Sequence, residues 1–202
     1  MTAEAASTPV RRRPADRTGS PLEGYVDRFA ALAAATRGAV GVTELPAFAH
    51  LALRADPQAD VGDILGGPLP PPGHVIGESP LTLGLGPDEW LVLAPDGTQT
   101  PLTRALHRVI GANGAVVDVS GQRTVVELSG PWCRTVLAKG CAIDLHPRSF
   151  TTDQCAQTLI ARAQVILLAR SGDPSALWLL PRASFARYVA DWLLDAALEY
   201  QT

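Results

Sequence analysis

Apolar positions along this chain recur with two different periods, and the changes of period mark its elements. Residues 1–20 are mostly Ala, Ser, Thr, Pro and Arg, with no apolar residue larger than Val10 after Met1. Such a segment buries too little apolar surface to offset the entropy of ordering, so the pattern predicts a disordered arm. Over residues 22–36, Val26, Phe29, Ala30 and Ala33 fall three to four apart and Gly38 stops the run. This predicts a short helix with a modest apolar face, which needs a surface to pack on, either the chain itself or a partner.

The body begins near Leu45. Residues 48–54 alternate as a strand, with Leu51 and Leu53 on one side, and 61–65 read as a short helix ended by Gly66-Gly67-Pro68. The proline- and glycine-rich stretch 66–80 predicts a loop of polyproline character, either a spacer or a docking loop. Strands follow at 81–85 and 90–93 about a Gly86-Pro87-Asp88 turn. Pro101, placed at the first helical position, opens a helix with Leu102, Leu106 and Val109 on one face, closed by Asn113-Gly114. Strands at 115–119 and 124–128 precede a helix that Pro131 opens and Gly140 caps. Strands are then expected at 156–161, 165–169 and 176–180, with a turn at Ser171-Gly172-Asp173-Pro174 between the last two. Phe185, Val189, Trp192, Leu193 and Ala196 trace the best amphipathic helix of the chain.

The strand ending Trp90-Leu91-Val92-Leu93-Ala94-Pro95 and the strand Leu177-Trp178-Leu179-Leu180-Pro181 both reach a proline before an amphipathic helix. Two similar units explain this. The expected fold is α+β, with two interlocked ferredoxin-like βαββαβ halves at about 45–120 and 121–202. They follow the arm at 1–20 and a helix and connector at 21–44.

Composition adds few constraints. With 202 residues, 47% hydrophobic and 18% charged, the chain can bury a core, and its net charge of -3 suggests neither a nucleic-acid nor an anionic-membrane surface. No apolar run approaches the roughly 20 residues of a membrane span. Arg11-Arg12-Arg13 is followed by Pro14 and Asp16 rather than an apolar stretch, so no export signal is expected. Cys133, Cys141 and Cys155 have neither CxxC nor zinc-ligand spacing and read as small buried hydrophobes of a reduced, cytoplasmic protein.

Candidate chemistry is sparse. Gly62-Asp63-Ile64-Leu65-Gly66-Gly67 and Gly84-Leu85-Gly86-Pro87 lack the GxGxxG spacing of a dinucleotide loop, so no FAD or NAD is expected on this chain. His50, His74, His107 and His146 lack ligand spacing. Asp144-Leu145-His146-Pro147 could hold an acid/base pair, but a loop anchor with Asp144 capping backbone N–H groups is favoured. Asp118 and Arg123 flank Ser120-Gly121; a mutual ion pair is favoured over Arg123 holding a carboxylate ligand. Asp191, Asp195 and Glu199 form an acidic row, either a solvated face or one that meets a basic partner. No catalytic, cofactor-binding or metal-binding residue is assigned.

Several blocks together resemble the gamma-subunit family of heterotetrameric sarcosine oxidases. They are Leu85-Gly86-Pro87-Asp88-Glu89-Trp90-Leu91, Val117-Asp118-Val119-Ser120 with Arg123, and Leu128-Ser129-Gly130-Pro131 running on to Asp144-Leu145-His146-Pro147. Phe150, Cys155-Ala156-Gln157-Thr158, Ser184-Phe185-Ala186 and Asp191-Trp192-Leu193 continue the likeness, which covers about 45–197. Trp90, Asp118, Arg123, Gly130, Asp144, His146, Pro147 and Thr158 are its fingerprint positions, with structural roles expected. The resemblance implies a complex that oxidises sarcosine to glycine and hydrogen peroxide and passes the one-carbon unit to tetrahydrofolate. It implies NAD and folate on an alpha subunit, FAD on a beta subunit, FMN between them and zinc on a delta subunit, with alpha in direct contact with this chain. It also implies the fold of the glycine-cleavage aminomethyltransferase without its catalytic carboxylate motif. Two functions follow: a non-catalytic assembly subunit, or an independent folate-binding aminomethyltransferase-like protein.

Overall fold

The computed structural model describes residues 19–170 and 176–201; the expected arm, apart from Gly19 and Ser20, and the expected turn at 171–174 lie outside them. The chain enters as α1 (Val26–Ala35) and β1 (Gly41–Glu44). It then builds one contiguous sheet unit: β2 (Phe48–Arg54), α2 (Gly62–Leu65), β3 (Val75–Ile76), β4 (Leu81–Gly86), β5 (Glu89–Pro95), α3 (Gln99–Ile110) and β6 (Ala115–Asp118). The second unit consists of β7 (Val126–Ser129), α4 (Cys133–Ala138), β8 (Cys155–Ile160), β9 (Ala163–Ala169), β10 (Leu177–Pro181) and α5 (Ala186–Ala196). All pairings between these strands are antiparallel.

The two sheets run β3-β4-β5-β2-β6 and β8-β9-β10-β7-β1. Position by position they match: each is a ferredoxin-like unit with one extra edge strand, β3 or β8. The last place differs in origin. In the first sheet β6 follows its helix in sequence, whereas in the second β1 comes from the other end of the chain. Residues 41–44, expected as a connector, pair with β7 in the register Gly41↔Ser129 to Glu44↔Val126. Leu45 N–H extends the ladder to Val125 O at 2.9 Å. The second half is therefore not built from 121–202 alone.

Strand alternation explains the layers. On β9, Val165, Leu167 and Ala169 join one apolar cluster, and Ile166 and Leu168 another. On β5, Trp90 and Val92 face α2 and α3, and Leu91 and Leu93 face the second sheet. Both sheets thus bury both faces, giving helices outside two sheets packed face to face. Strands buried on two sides read as continuous apolar runs, as β9 and β10 do.

Four expectations are corrected or decided by the structure. The N-terminal helix packs on the chain itself, but through a face turned from the expected one: Leu22, Tyr25, Phe29 and Leu32 are buried against the second sheet with α4 and α5, whereas Val26 is 73% exposed and Ala30 is exposed as well. The proline loop docks within the chain. Trp90 Nε1–H donates to Pro70 O at 2.8 Å, while Val75 N–H donates to Asp153 O and Cys155 N–H to Gly73 O, both at 2.9 Å, so the loop staples the two halves together. Gly84 is required there, because a Cβ would lie 2.3 Å from Pro71 O. The two tryptophan strands occupy equivalent places, β5 and β10, but their tryptophans face opposite ways. Trp90 points to the helices, whereas Trp178 lies on the inter-sheet side and donates to Glu127 Oε2 at 2.9 Å. Pro101 is the third residue of α3 rather than the first, still within the turn whose N–H groups have no intrahelical partner.

Phe29 is 4% exposed within this core. Phe29→Ala should lower the unfolding free energy by about 3–5 kcal/mol in urea titrations of the isolated chain. A loss below about 0.5 kcal/mol would mean that α1 does not stabilise the domain.

Candidate functional site

Of the fingerprint residues, Arg123 and Thr158 line a common cleft, and the other six do not join them there. Asp118, at the end of β6, does not pair with Arg123. Its Oδ1 accepts from Ser120 N–H at 3.0 Å and Ser120 Oγ–H at 2.6 Å, and Ser120 Oγ in turn accepts from His50 N–H at 3.0 Å. The Asp-x-Ser spacing favours this local closure over a reach to the next strand. Arg123 instead donates through Nη1 to Leu180 O at 2.8 Å. Gly130, at φ +96°, passes so close to Ala39 that a Cβ would lie 2.5 Å from its carbonyl oxygen. It lets the exit of β7 cross the entry to β1.

The Asp144–Pro147 segment is tied into a turn. Asp144 Oδ1 accepts from His146 N–H at 2.9 Å, and a hydrogen bond from the Ser149 side chain, followed by that backbone N–H, holds the carboxyl below its ordinary range. His146 Nδ1 accepts from Arg148 N–H at 3.2 Å. Arg134 Nη1 clasps the turn from α4 through Leu145 O at 2.7 Å and Phe150 O at 3.0 Å. Leu145 and Phe150 are buried beneath it, while Asp144, His146 and Pro147 are exposed. The acid and the imidazole are both engaged with backbone, not aimed at a shared reacting atom.

Two of the three cysteines, Cys133 and Cys155, are buried. Burial pushes the Cys155 thiol up to about 12, and Sγ donates to Gly84 O at 3.5 Å. Cys133 is fully buried in the core, and Cys141 Sγ lies 3.9 Å from Thr158 Oγ1. Among the described residues no group of three or more His, Cys, Asp or Glu could hold a metal ion. The acidic row is partly used internally: Asp191 binds Arg28 at 2.7 Å and Tyr25 Oη–H at 3.0 Å, and Glu199 binds Lys139 at 2.6 Å.

What the structure does assemble is a cleft of about 410 Å³ whose lining includes Arg123, Gln157, Thr158, Leu159, Gln164 and Arg182. Two segments set its cationic side. An isolated antiparallel bridge joins Arg123 to Arg182, flanked by Thr124 N–H to Pro181 O at 3.3 Å and Ala183 N–H to Gln122 O at 2.8 Å. Burial, and then the positive charge of Arg182, lower the Arg123 pKa from its ordinary value, though nothing neutralises a guanidinium near pH 7. The other side comes from β8 and β9, where the register Gln157↔Ile166 and Leu159↔Gln164 places these residues on the inter-sheet face. The cleft is the stretch of that face that the first sheet leaves uncovered. Arg182 and Gln164 carried no signal in sequence; only the equivalence of β5 and β10 could have pointed to the residue following Pro181.

The family model for the sarcosine oxidase, gamma subunit family matches residues 30–199. This chain belongs to that family. The gamma subunit of sarcosine oxidase from Corynebacterium sp. (strain P-1) is 37% identical, with 96% of this chain and 93% of the relative covered. The gamma subunit from Arthrobacter sp. is likewise 37% identical over the same shares. Among solved structures, the heterotetrameric sarcosine oxidase from Corynebacterium sp. U-96, in complex with pyrrole 2-carboxylate, has a chain that superposes with a TM-score of 0.80 at 34% identity. That match covers 92% of this chain and 97% of the other. Aminomethyltransferase T of the glycine cleavage system from Bartonella henselae gives a TM-score of 0.60 at 15% identity, covering 81% of this chain and 48% of the other. At that identity the likeness is one of fold, and it agrees with the folate-binding-type architecture expected for a sarcosine oxidase gamma subunit. No helix among the described residues is long and apolar enough to cross a membrane.

The Asp144 turn makes a pH-dependent contribution with a defined sign. A folded pKa below the ordinary 3.8 means that the stabilisation is present above that value and is lost as pH falls through the folded pKa. Asp144→Asn should therefore lower Tm at pH 7, with the gap to wild type narrowing below about pH 4. A gap that stays constant down to pH 2 would show that the carboxylate charge is not involved.

Proposed function

We propose that this chain is a non-catalytic assembly subunit of a cytoplasmic heterotetrameric sarcosine oxidase. Such a complex demethylates sarcosine oxidatively to glycine, hydrogen peroxide and a folate-bound one-carbon unit. FAD, FMN, NAD, zinc and the tetrahydrofolate site reside on its alpha, beta and delta subunits, and alpha contacts this chain directly. The observation that carries the reading is the similarity to curated gamma subunits over 96% of this chain, together with the match of 92% of it to a chain of the solved heterotetrameric enzyme. The chain's own chemistry supports it, because Asp144 and His146 are committed to a turn and Cys155 to the core. Trp90, Gly130, Asp144 and His146 then serve the scaffold. Trp90 fixes the proline loop, Gly130 permits the β1–β7 crossing, and the 144–147 turn closes the second core.

An independent folate-binding role would need room between the halves and an acidic group facing it. The inter-sheet layer is instead filled by Leu91, Leu93, Ile166, Leu168 and Leu180, and among the described residues no acidic side chain lines the arginine cleft. That layer leaves no room for tetrahydrofolate.

Co-expression with the neighbouring open reading frames, followed by a pull-down through this chain, tests the assignment. Flavin absorbance and sarcosine-dependent peroxide formation should copurify with it. Recovery of the chain free of any flavoprotein would overturn the subunit reading. In calorimetry the isolated chain should show no micromolar affinity for tetrahydrofolate, and such an affinity would instead favour the folate-binding alternative.

A further inference from the structure

We propose that the Arg123–Arg182 cleft is a carboxylate-binding socket that receives an acidic segment of a partner subunit; this rests on the subunit reading above. Two guanidinium groups side by side repel each other, and that cost persists unless an anion sits between them. Among the described residues none does. Arg123 uses one N–H on Leu180 O, and no carboxylate pairs with either guanidinium among the described residues. The local charge is opposite to the chain's net charge of -3, so the positive cleft stands out against an acidic body.

Its surroundings favour a protein segment over a free small anion. The cleft continues the inter-sheet layer, where Ile166, at 1% exposure, is already covered by the chain itself. Beyond it Leu159, on the same face, is left 46% exposed, and Gln157, Gln164 and Arg182 are exposed as well. A free carboxylate would satisfy the arginines but leave Leu159 in water. A segment carrying Asp or Glu beside an apolar residue would cover both, with the carboxylate bridging the two guanidinium groups and the apolar side chain over Leu159. At the rim Gln164 supplies an amide donor and acceptor, while Gln157 already donates through Nε2 to Leu85 O at 3.3 Å and keeps its amide oxygen as an acceptor. Arginines that flank an apolar floor are a common anchor of protein interfaces.

The test uses the co-expressed complex. Arg182→Glu reverses the exposed charge and should weaken association of this chain with its flavoprotein partners at least about tenfold, measured by biolayer interferometry. Arg182→Lys should retain most of the affinity, and the wild-type affinity should fall with rising salt more steeply than that of Arg182→Glu. An unaltered thermal melt of the free Arg182→Glu chain excludes misfolding, and Leu159→Ser supplies a second, uncharged variant that should also weaken binding. Affinity unchanged in both Arg182→Glu and Leu159→Ser overturns the proposal. If millimolar glutarate or phosphate raises the Tm of the free chain in an Arg182-dependent way while complex affinity is unaffected, the cleft is a small-anion site and the partner socket is overturned. If the wild-type chain captures no flavoprotein at all, the subunit reading itself fails and the socket falls with it.

Discussion

The face-to-face contact between the two sheets is the constraint on which the rest of the molecule depends. Neither sheet could keep its inner face apolar without the other, and Leu83, Leu93, Leu168 and Leu180 are all essentially without exposure there. Once that layer is closed, each outer face must be covered by helices, which puts α2 and α3 on one side and α1, α4 and α5 on the other. The proline loop then follows as a consequence. It crosses between the sheets at their β4 and β8 sides, and its carbonyl groups are used by Trp90 on one half and Cys155 on the other. The surface left over where the sheets do not overlap is the arginine cleft.

Much of the fold was legible in the sequence because two-sided burial writes long apolar runs. The strands at 48–54, 81–86, 89–95 and 163–169 and the helices α3 and α5 were each marked by period and punctuation. The membership of β1 was not. Four residues, Gly-Val-Thr-Glu, carry too little pattern, and their partner β7 lies more than eighty positions away in sequence. The facing of the two tryptophans was also hidden, since a shift of one residue along a strand reverses a side chain and leaves the composition alike.

The site was less legible than the fold, for a different reason. Sequence spacing suggested Asp118 with Arg123 because they are neighbours along the chain. Tertiary structure gave the aspartate a hydroxyl two residues away and gave the arginine the carbonyl of Leu180, 57 residues on. The acidic row looked solvated because its partners, Arg28 and Lys139, come from other elements. The 144–147 block could be read as a turn from Asp and Pro alone, although Arg134, which clasps it from a separate helix, could not. Local hydrogen bonding is written in short spacings. Charge pairing across elements is not.

The origin of β1 has a consequence for how the molecule comes into being on the ribosome. The α1–β1 segment is made early, but the strand it must pair with emerges only after the whole first sheet has been synthesised, at about 5–20 residues per second. Meanwhile the apolar face of α1, with Phe29 and Leu32, has no core of its own to enter. The first sheet, contiguous from β2 to β6, can assemble its helix-covered side during this interval. Nascent chains of this protein therefore pass through a stage with one half organised and a sticky leading segment waiting.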